Sequence, residues 1–102
     1  MVIEWLRVQV PAEVRETYVK TDAEIWTRFL ETCPGFLGKE VWLNLEKPEE
    51  VVFMIRWESL ELWQSIPQRE LERVDREFTA AMGASYPIVE FNKYQIRKFS
   101  SA

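Results

Sequence analysis

Val51-Val52-Phe53-Met54-Ile55-Arg56-Trp57 is the stretch from which the fold can be read. A strand points successive side chains to opposite sides. One side of this run carries Val51, Phe53, Ile55 and Trp57, and the other carries Val52, Met54 and Arg56. Both sides are therefore apolar. The same holds outward along the chain. The first run divides into Val2, Leu6, Val8 and Val10 against Ile3 and Trp5, and Phe36 to Leu45 divides into Leu37, Val41, Leu43 and Leu45 against Phe36 and Trp42. A small antiparallel sheet with helices on one face normally keeps its other face polar. Here the second face also calls for cover, and a chain of 102 residues has little left to supply it. A partner subunit, a ligand cavity, or both are expected.

The other elements follow from punctuation and periodicity. Val2 to Val10 reads as a strand ended by Pro11, and Ala12 to Thr32 as a helix. The stripe of that helix is Val14, Tyr18, Trp26, Phe29, Leu30 and Cys33. Thr21 with Glu24 has capping-box form, which predicts a break or restart near Lys20 to Asp22. Pro34-Gly35 stops the helix, and Phe36 to Glu46 and Val51 to Glu58 form a hairpin around the turn Lys47 to Glu50. Ser59 is placed to cap a short helix through Ile66, and Pro67 falls in the first turn of a longer one. Leu71, Val74, Phe78, Ala81 and Met82 line the inner side of that helix, with Glu72/Arg76 and Arg73/Glu77 paired on its wet side and Gly83 just past its end. Ile88 to Phe99 is the last strand. The order β-α-β-β-α-β predicts an α+β, ferredoxin-like sandwich in one domain spanning 1–102, with both helices on one face of an antiparallel sheet. Two such sheets closing face to face would bury on the order of 1,000 Å² or more, the scale of a stable interface.

Composition removes more functions than it adds. The chain has no histidine, which excludes a Ser-His-Asp or Cys-His device, a His-ligated zinc or haem, and an imidazole base. Its acidic residues show no metal-loop spacing, and its three glycines form no phosphate loop. No metal and no cofactor is expected. The single Cys33 allows no internal disulfide and has no neighbour to activate it, so it reads as an inert thiol. A net charge of −4 argues against nucleic acid and against an anionic membrane surface. Neither a signal peptide nor an apolar run long enough for a membrane span is seen, and a cytoplasmic, reducing location is expected.

The remaining chemistry lies with Trp, Tyr, Arg, Asn, Gln and Glu. Trp26 reads as core, and Trp57 and Trp63 as packing at a strand-to-helix corner. Trp5 and Trp42 each precede, by two residues on the same strand face, a polar group: Arg7 and Asn44. An apolar wall carrying a guanidinium and an amide makes a ligand surface. Arg56 interrupts an apolar strand and needs a partner, Glu4 or Glu40, or an anionic ligand group. Asn92 and Tyr94 share a face of the last strand and are placed to donate hydrogen bonds to an enolate or phenolate, or to meet a second subunit. The candidate cavity residues are thus Trp5, Arg7, Trp42, Asn44, Arg56, Asn92 and Tyr94.

Trp57-Glu58-Ser59-Leu60-Glu61-Leu62-Trp63 resembles the W-x-S-x-E-x-(F/W) signature of antibiotic-biosynthesis-monooxygenase domains. Pro34-Gly35-Phe36 resembles their P-G-F before the second strand, and Pro67 matches a frequent proline position. A small group of uncharacterised cyanobacterial proteins with this layout looks closer still. The resemblance implies a dimeric α+β barrel with a cavity between the sheet and helices of each protomer. Some relatives oxidise phenolic or anthrone-like substrates without metal or flavin, and others degrade haem. Gln68 stands where the family often has histidine, which speaks against haem degradation by the familiar route. The expectation is a homodimer that binds a small apolar or aromatic molecule. Cofactor-independent oxygenation is the implied reaction, with a non-catalytic binding or scaffold dimer, or a lactone or enol isomerase, as alternatives.

Overall fold

The computed structural model describes residues 1–98, so Phe99, the expected end of the last strand, lies outside the described residues. The strands β1 (Val2–Gln9), β2 (Phe36–Leu43), β3 (Glu50–Trp57) and β4 (Ile88–Gln95) form one antiparallel sheet in the order β2-β3-β1-β4. Helical chain joins β1 to β2, and the helices α3 (Leu60–Gln64) and α4 (Gln68–Met82) join β3 to β4. This is the ferredoxin-like α+β arrangement expected from the alternation of patterns. The register of β1 against β3 sets Val8 opposite Val51, Leu6 opposite Phe53 and Glu4 opposite Ile55. Those residues share one face with Trp57, and on that face Val8, Val10, Tyr18, Val51, Phe53 and Phe78 make the main core cluster. A second cluster joins Leu30, Ile55 and Trp57.

Strict alternation fails in β2. Phe36 lies opposite Trp57 but Gly38 lies opposite Arg56, so Leu37 is an extra, bulged residue. The bulge transfers Phe36 to the helix side, where its ring meets Trp57 edge-on at 5.8 Å. Leu37 is 49% exposed, a correction to its expected place beside Val41 and Leu43.

The first helical region does not restart at a capping box. It opens with a 3-10 turn at Ala12–Val14, continues as α1 (Arg15–Asp22), and passes through a π-turn at Ala23–Thr27 into α2 (Arg28–Leu30). Asp22 has helical backbone angles and no side-chain cap, so the Thr21/Glu24 pattern marks a change of winding and not an end. Downstream, the Ser59 hydroxyl accepts a hydrogen bond from the Leu62 N–H at 3.1 Å, as expected of a cap. Pro67, with ψ 135°, sits just before α4 and not in its first turn. On α4, Arg73 bridges Glu70 and Glu77, while Glu72 accepts from Gln68 and makes no ion pair with Arg76 among the described residues. Gly83 ends the helix at φ +75°, a left-handed position that suits glycine. Among the described residues no helix is long and apolar enough to cross a membrane.

Gly35 joins the first helical region to β2 at φ +86°, and a Cβ there would lie 2.7 Å from Leu62 Cβ. Both the backbone and α3 therefore exclude a side chain. Gly35→Ala is expected to cost about 1–3 kcal/mol, read as a lower urea midpoint at unchanged slope. An unchanged midpoint would contradict the close approach of α3.

Candidate functional site

The sheet and helices do not close completely on one another. Between them lies a cavity of about 610 Å³. Its sheet wall carries Glu4, Leu6 and Val8 from β1, Lys39 from β2, Phe53, Ile55 and Trp57 from β3, and Phe91 from β4. The first helical region contributes Tyr18, Asp22, Trp26 and Leu30, each four residues after the last. At about 3.6 residues per turn, such a series drifts around an α-helix, and wider π winding opposes the drift. The π-turn at Ala23–Thr27 thus keeps Trp26 and Leu30 aimed at the same space as Tyr18 and Asp22. α4 adds Leu71 and Phe78, with Gln68, Glu72, Asp75 and Thr79 beside them.

The walls are mostly aromatic. Trp57 is fully buried, stacks on Trp63 at 6.4 Å with the planes 6° apart, and Trp63 in turn meets Phe91 at 6.1 Å. Tyr18 is packed edge-on against Phe78 and Tyr86. Burial pushes its phenol well above the ordinary range, helped by Asp22, Asp75 and Tyr86, so it stays protonated.

The polar groups in this apolar space are few and fixed. The Trp57 indole N–H donates to Glu4 Oε1 at 3.1 Å. Burial raises the Glu4 pKa, opposed by that hydrogen bond and by Lys39. The other carboxyl oxygen of Glu4 meets no protein donor among the described residues, which leaves it available to a ligand. Lys39 Nζ lies 2.5 Å from Asp22 Oδ2, with side chains 4% and 6% exposed, and 4.7 Å from the centre of the Phe53 ring. Burial also raises the Asp22 pKa, against the opposing pull of Lys39. A carboxyl held in this way can accept a hydrogen bond or a proton from a bound molecule. Among the described residues, no group of three or more His, Cys, Asp or Glu side chains is placed to hold a metal ion.

The residues singled out from the sequence do not line this cavity. Trp5 lies opposite Met54 and Asn92, Tyr94 opposite Ile3, and Trp42 opposite Val52, all on the far face of the sheet. Arg7 and Arg56 are on that face too. Arg7 lies between Glu90 at 3.0 Å and Glu50 at 3.4 Å. Arg56 pairs with Glu40 at 3.1 Å, one of the two partners expected; the other, Glu4, points to the helix side. Trp42 also donates to Glu40, Asn92 donates to Glu90, and Asn44 donates to Glu50 while accepting from the N–H groups of Glu46 and Lys47 at the hairpin. These guanidinium and amide groups are engaged by neighbouring carboxylates. Hydrogen bonds hold Glu40 and Glu90 below the usual carboxylate range, from Trp42 and Arg56 to the first and from Asn92 and Arg7 to the second.

Sequence reasoning missed Glu4, Asp22 and Lys39. Each carried a signal. Glu4 has the parity of Val2, Leu6 and Val8, Lys39 has that of Val41 and Leu43, and Asp22 lies four residues from both Tyr18 and Trp26.

The profile of the antibiotic biosynthesis monooxygenase family matches residues 1–70. Among functionally curated proteins, none matches the sequence. Solved structures resemble it throughout. SnoaB, a cofactor-independent oxygenase from Streptomyces nogalater, is 18% identical, with 99% of this chain and 97% of that one covered and a TM-score of 0.67. A Streptomyces coelicolor monooxygenase in complex with nanaomycin D is 15% identical over 99% of this chain and 91% of its own, with a TM-score of 0.73. The haem-degrader MhuD from Mycobacterium tuberculosis, with two haems in its active site, is 19% identical over 99% of this chain and 100% of its own, with a TM-score of 0.67. At these identities the likeness is one of fold.

Proposed function

This chain belongs to the antibiotic biosynthesis monooxygenase family, and from that premise we propose that it is a homodimer binding a small, flat aromatic molecule between its sheet and its helices. The observation that carries this reading is the cavity of about 610 Å³, walled by Trp57, Trp63, Phe53 and Phe91, with Glu4 held in its wall by the Trp57 N–H. Apolar, concave space with few oriented polar groups is the usual form of a small-molecule site. A titration with 2-naphthol tests it. Binding should be saturable, and ligand at about 100 times its dissociation constant should stabilise the fold by roughly 2.7 kcal/mol. No heat of binding and no thermal shift at the solubility limit would sink the reading.

The dimer rests on the far face of the sheet. Ile3 and Trp5 are half-buried there, while Trp42 and Tyr94 are 45% and 53% exposed. Ion pairs of Arg7 and Arg56 flank this apolar middle, as at a rim. Sedimentation should give about twice the chain mass of 12.2 kDa. Trp42→Glu should yield a folded monomer, because that ring is already partly in water; a wild type that sediments as a compact monomer would overturn the assignment.

A second reading, oxygenation of an electron-rich ring by molecular oxygen without a bound cofactor, is favoured by Glu4. A carboxyl with its pKa raised by burial is suited to take a proton from a bound substrate before the ring is oxidised. Oxygen uptake with anthrone above the uncatalysed rate, lost in Glu4→Gln, would support it. Uptake that survives Glu4→Gln would exclude Glu4 as the base.

A further inference from the structure

We propose that the cavity selects an organic cation, an aromatic ring bearing an ammonium group, and that Glu4 is its counter-charge. The inference deepens the binding reading above and rests on it. It begins with the charges along the cavity wall. Glu4, Asp22, Glu72 and Asp75 line it, against a single ammonium, that of Lys39. Lys39 is engaged by Asp22. Lys39 also acts on Glu4, so four carboxyls share one cation in the lining.

Other cations lie outside the lining. Lys93 is the cross-strand partner of Glu4, yet it lies over the Trp63 ring at 5.9 Å and lines a separate pocket with Val2, Leu60 and Tyr94. It makes no ion pair with Glu4 among the described residues. Arg7 and Arg56 are on the far face of the sheet, paired with Glu90, Glu50 and Glu40. Among the lining residues an anionic ligand would therefore meet four carboxyls and one ammonium, that of Lys39.

A cation would meet the reverse. The uncommitted oxygen of Glu4 lies in a mostly apolar space, where a charge-assisted hydrogen bond is roughly twice as strong as a neutral one. Of the rings on the cavity wall, Phe91 is 45% exposed and offers a surface that attracts positive charge. At the edge of the cavity, the exposed Glu72 and Asp75 on α4 add a negative potential that favours entry of a cation.

Three probes of one shape and different charge test this: 2-naphthylmethylammonium, 2-naphthylmethanol and 2-naphthoate, titrated calorimetrically at low salt. The ammonium should bind at least about tenfold more tightly than the alcohol, with the carboxylate weakest. Glu4→Gln keeps an acceptor for the Trp57 N–H and should bring ammonium and alcohol within about twofold of each other. Glu72→Gln with Asp75→Asn, both on the exposed side of α4, should weaken the ammonium about two- to threefold and strengthen the carboxylate, without touching the core. A carboxylate that binds as well as the ammonium, or a preference unchanged in both variants, would overturn the proposal. Should Glu4→Gln fail to fold, the wild-type ranking and the α4 variant still decide. Equal binding of all three probes would remove the charge selection alone, whereas no binding of any would remove the aromatic site with it.

Discussion

Trp57→Ala is expected to lower stability by about 3–5 kcal/mol, among the largest effects any single substitution should have in this chain. The ring is fully buried, stacked on Trp63 and met edge-on by Phe36, so its loss opens a void that three elements border. It also removes the donor that holds Glu4. Trp57→Phe keeps much of the volume but not the N–H, and should fall between wild type and alanine. Urea unfolding measures both. A loss below about 1 kcal/mol for the alanine variant would mean that this corner is not the packed centre described here.

The second large effect should be at Asp22 and Lys39. Both side chains are almost fully buried, and each is the other's partner. Removing one alone, as in Asp22→Leu or Lys39→Met, leaves a buried group without its counter-charge and should cost about 3–5 kcal/mol. The double variant replaces the pair with apolar groups of similar volume and should be close to wild type, so the two single losses should be far from additive. Additive losses would show that the two groups are solvated separately.

Much of the architecture could be read from alternation, because side-chain parity in β1 and β3 is uninterrupted: Val51, Phe53, Ile55 and Trp57 share the core face as their spacing requires. In β2 the parity breaks at the bulge before Gly38, and Phe36 changes face. A glycine inside a strand is the signal for such a break. The candidate site was less legible, for a physical reason. Alternation separates two faces of a sheet but does not label them, and here both are apolar. Trp5, Arg7, Trp42 and Arg56 looked like a ligand wall because aromatic rings and guanidinium groups alternate there. The helices pack against the other face, where Leu6, Val8 and Phe53 take the stripes of α1 and α4. On that face the informative residues were the few that interrupt it, Glu4 and Lys39, and Asp22 on the helix opposite.

The five Trp residues allow the central claim to be tested in one spectrum. Trp26, Trp57 and Trp63 line the cavity, while Trp5 and Trp42 lie across the sheet from it. Their indole N–H resonances can be followed during titration with 2-naphthylmethanol, whose neutrality sets the question of charge aside. Saturable shifts at Trp57 and Trp63, with Trp5 and Trp42 unmoved, are the predicted result. Shifts at Trp5 and Trp42 with the cavity indoles unmoved would contradict it.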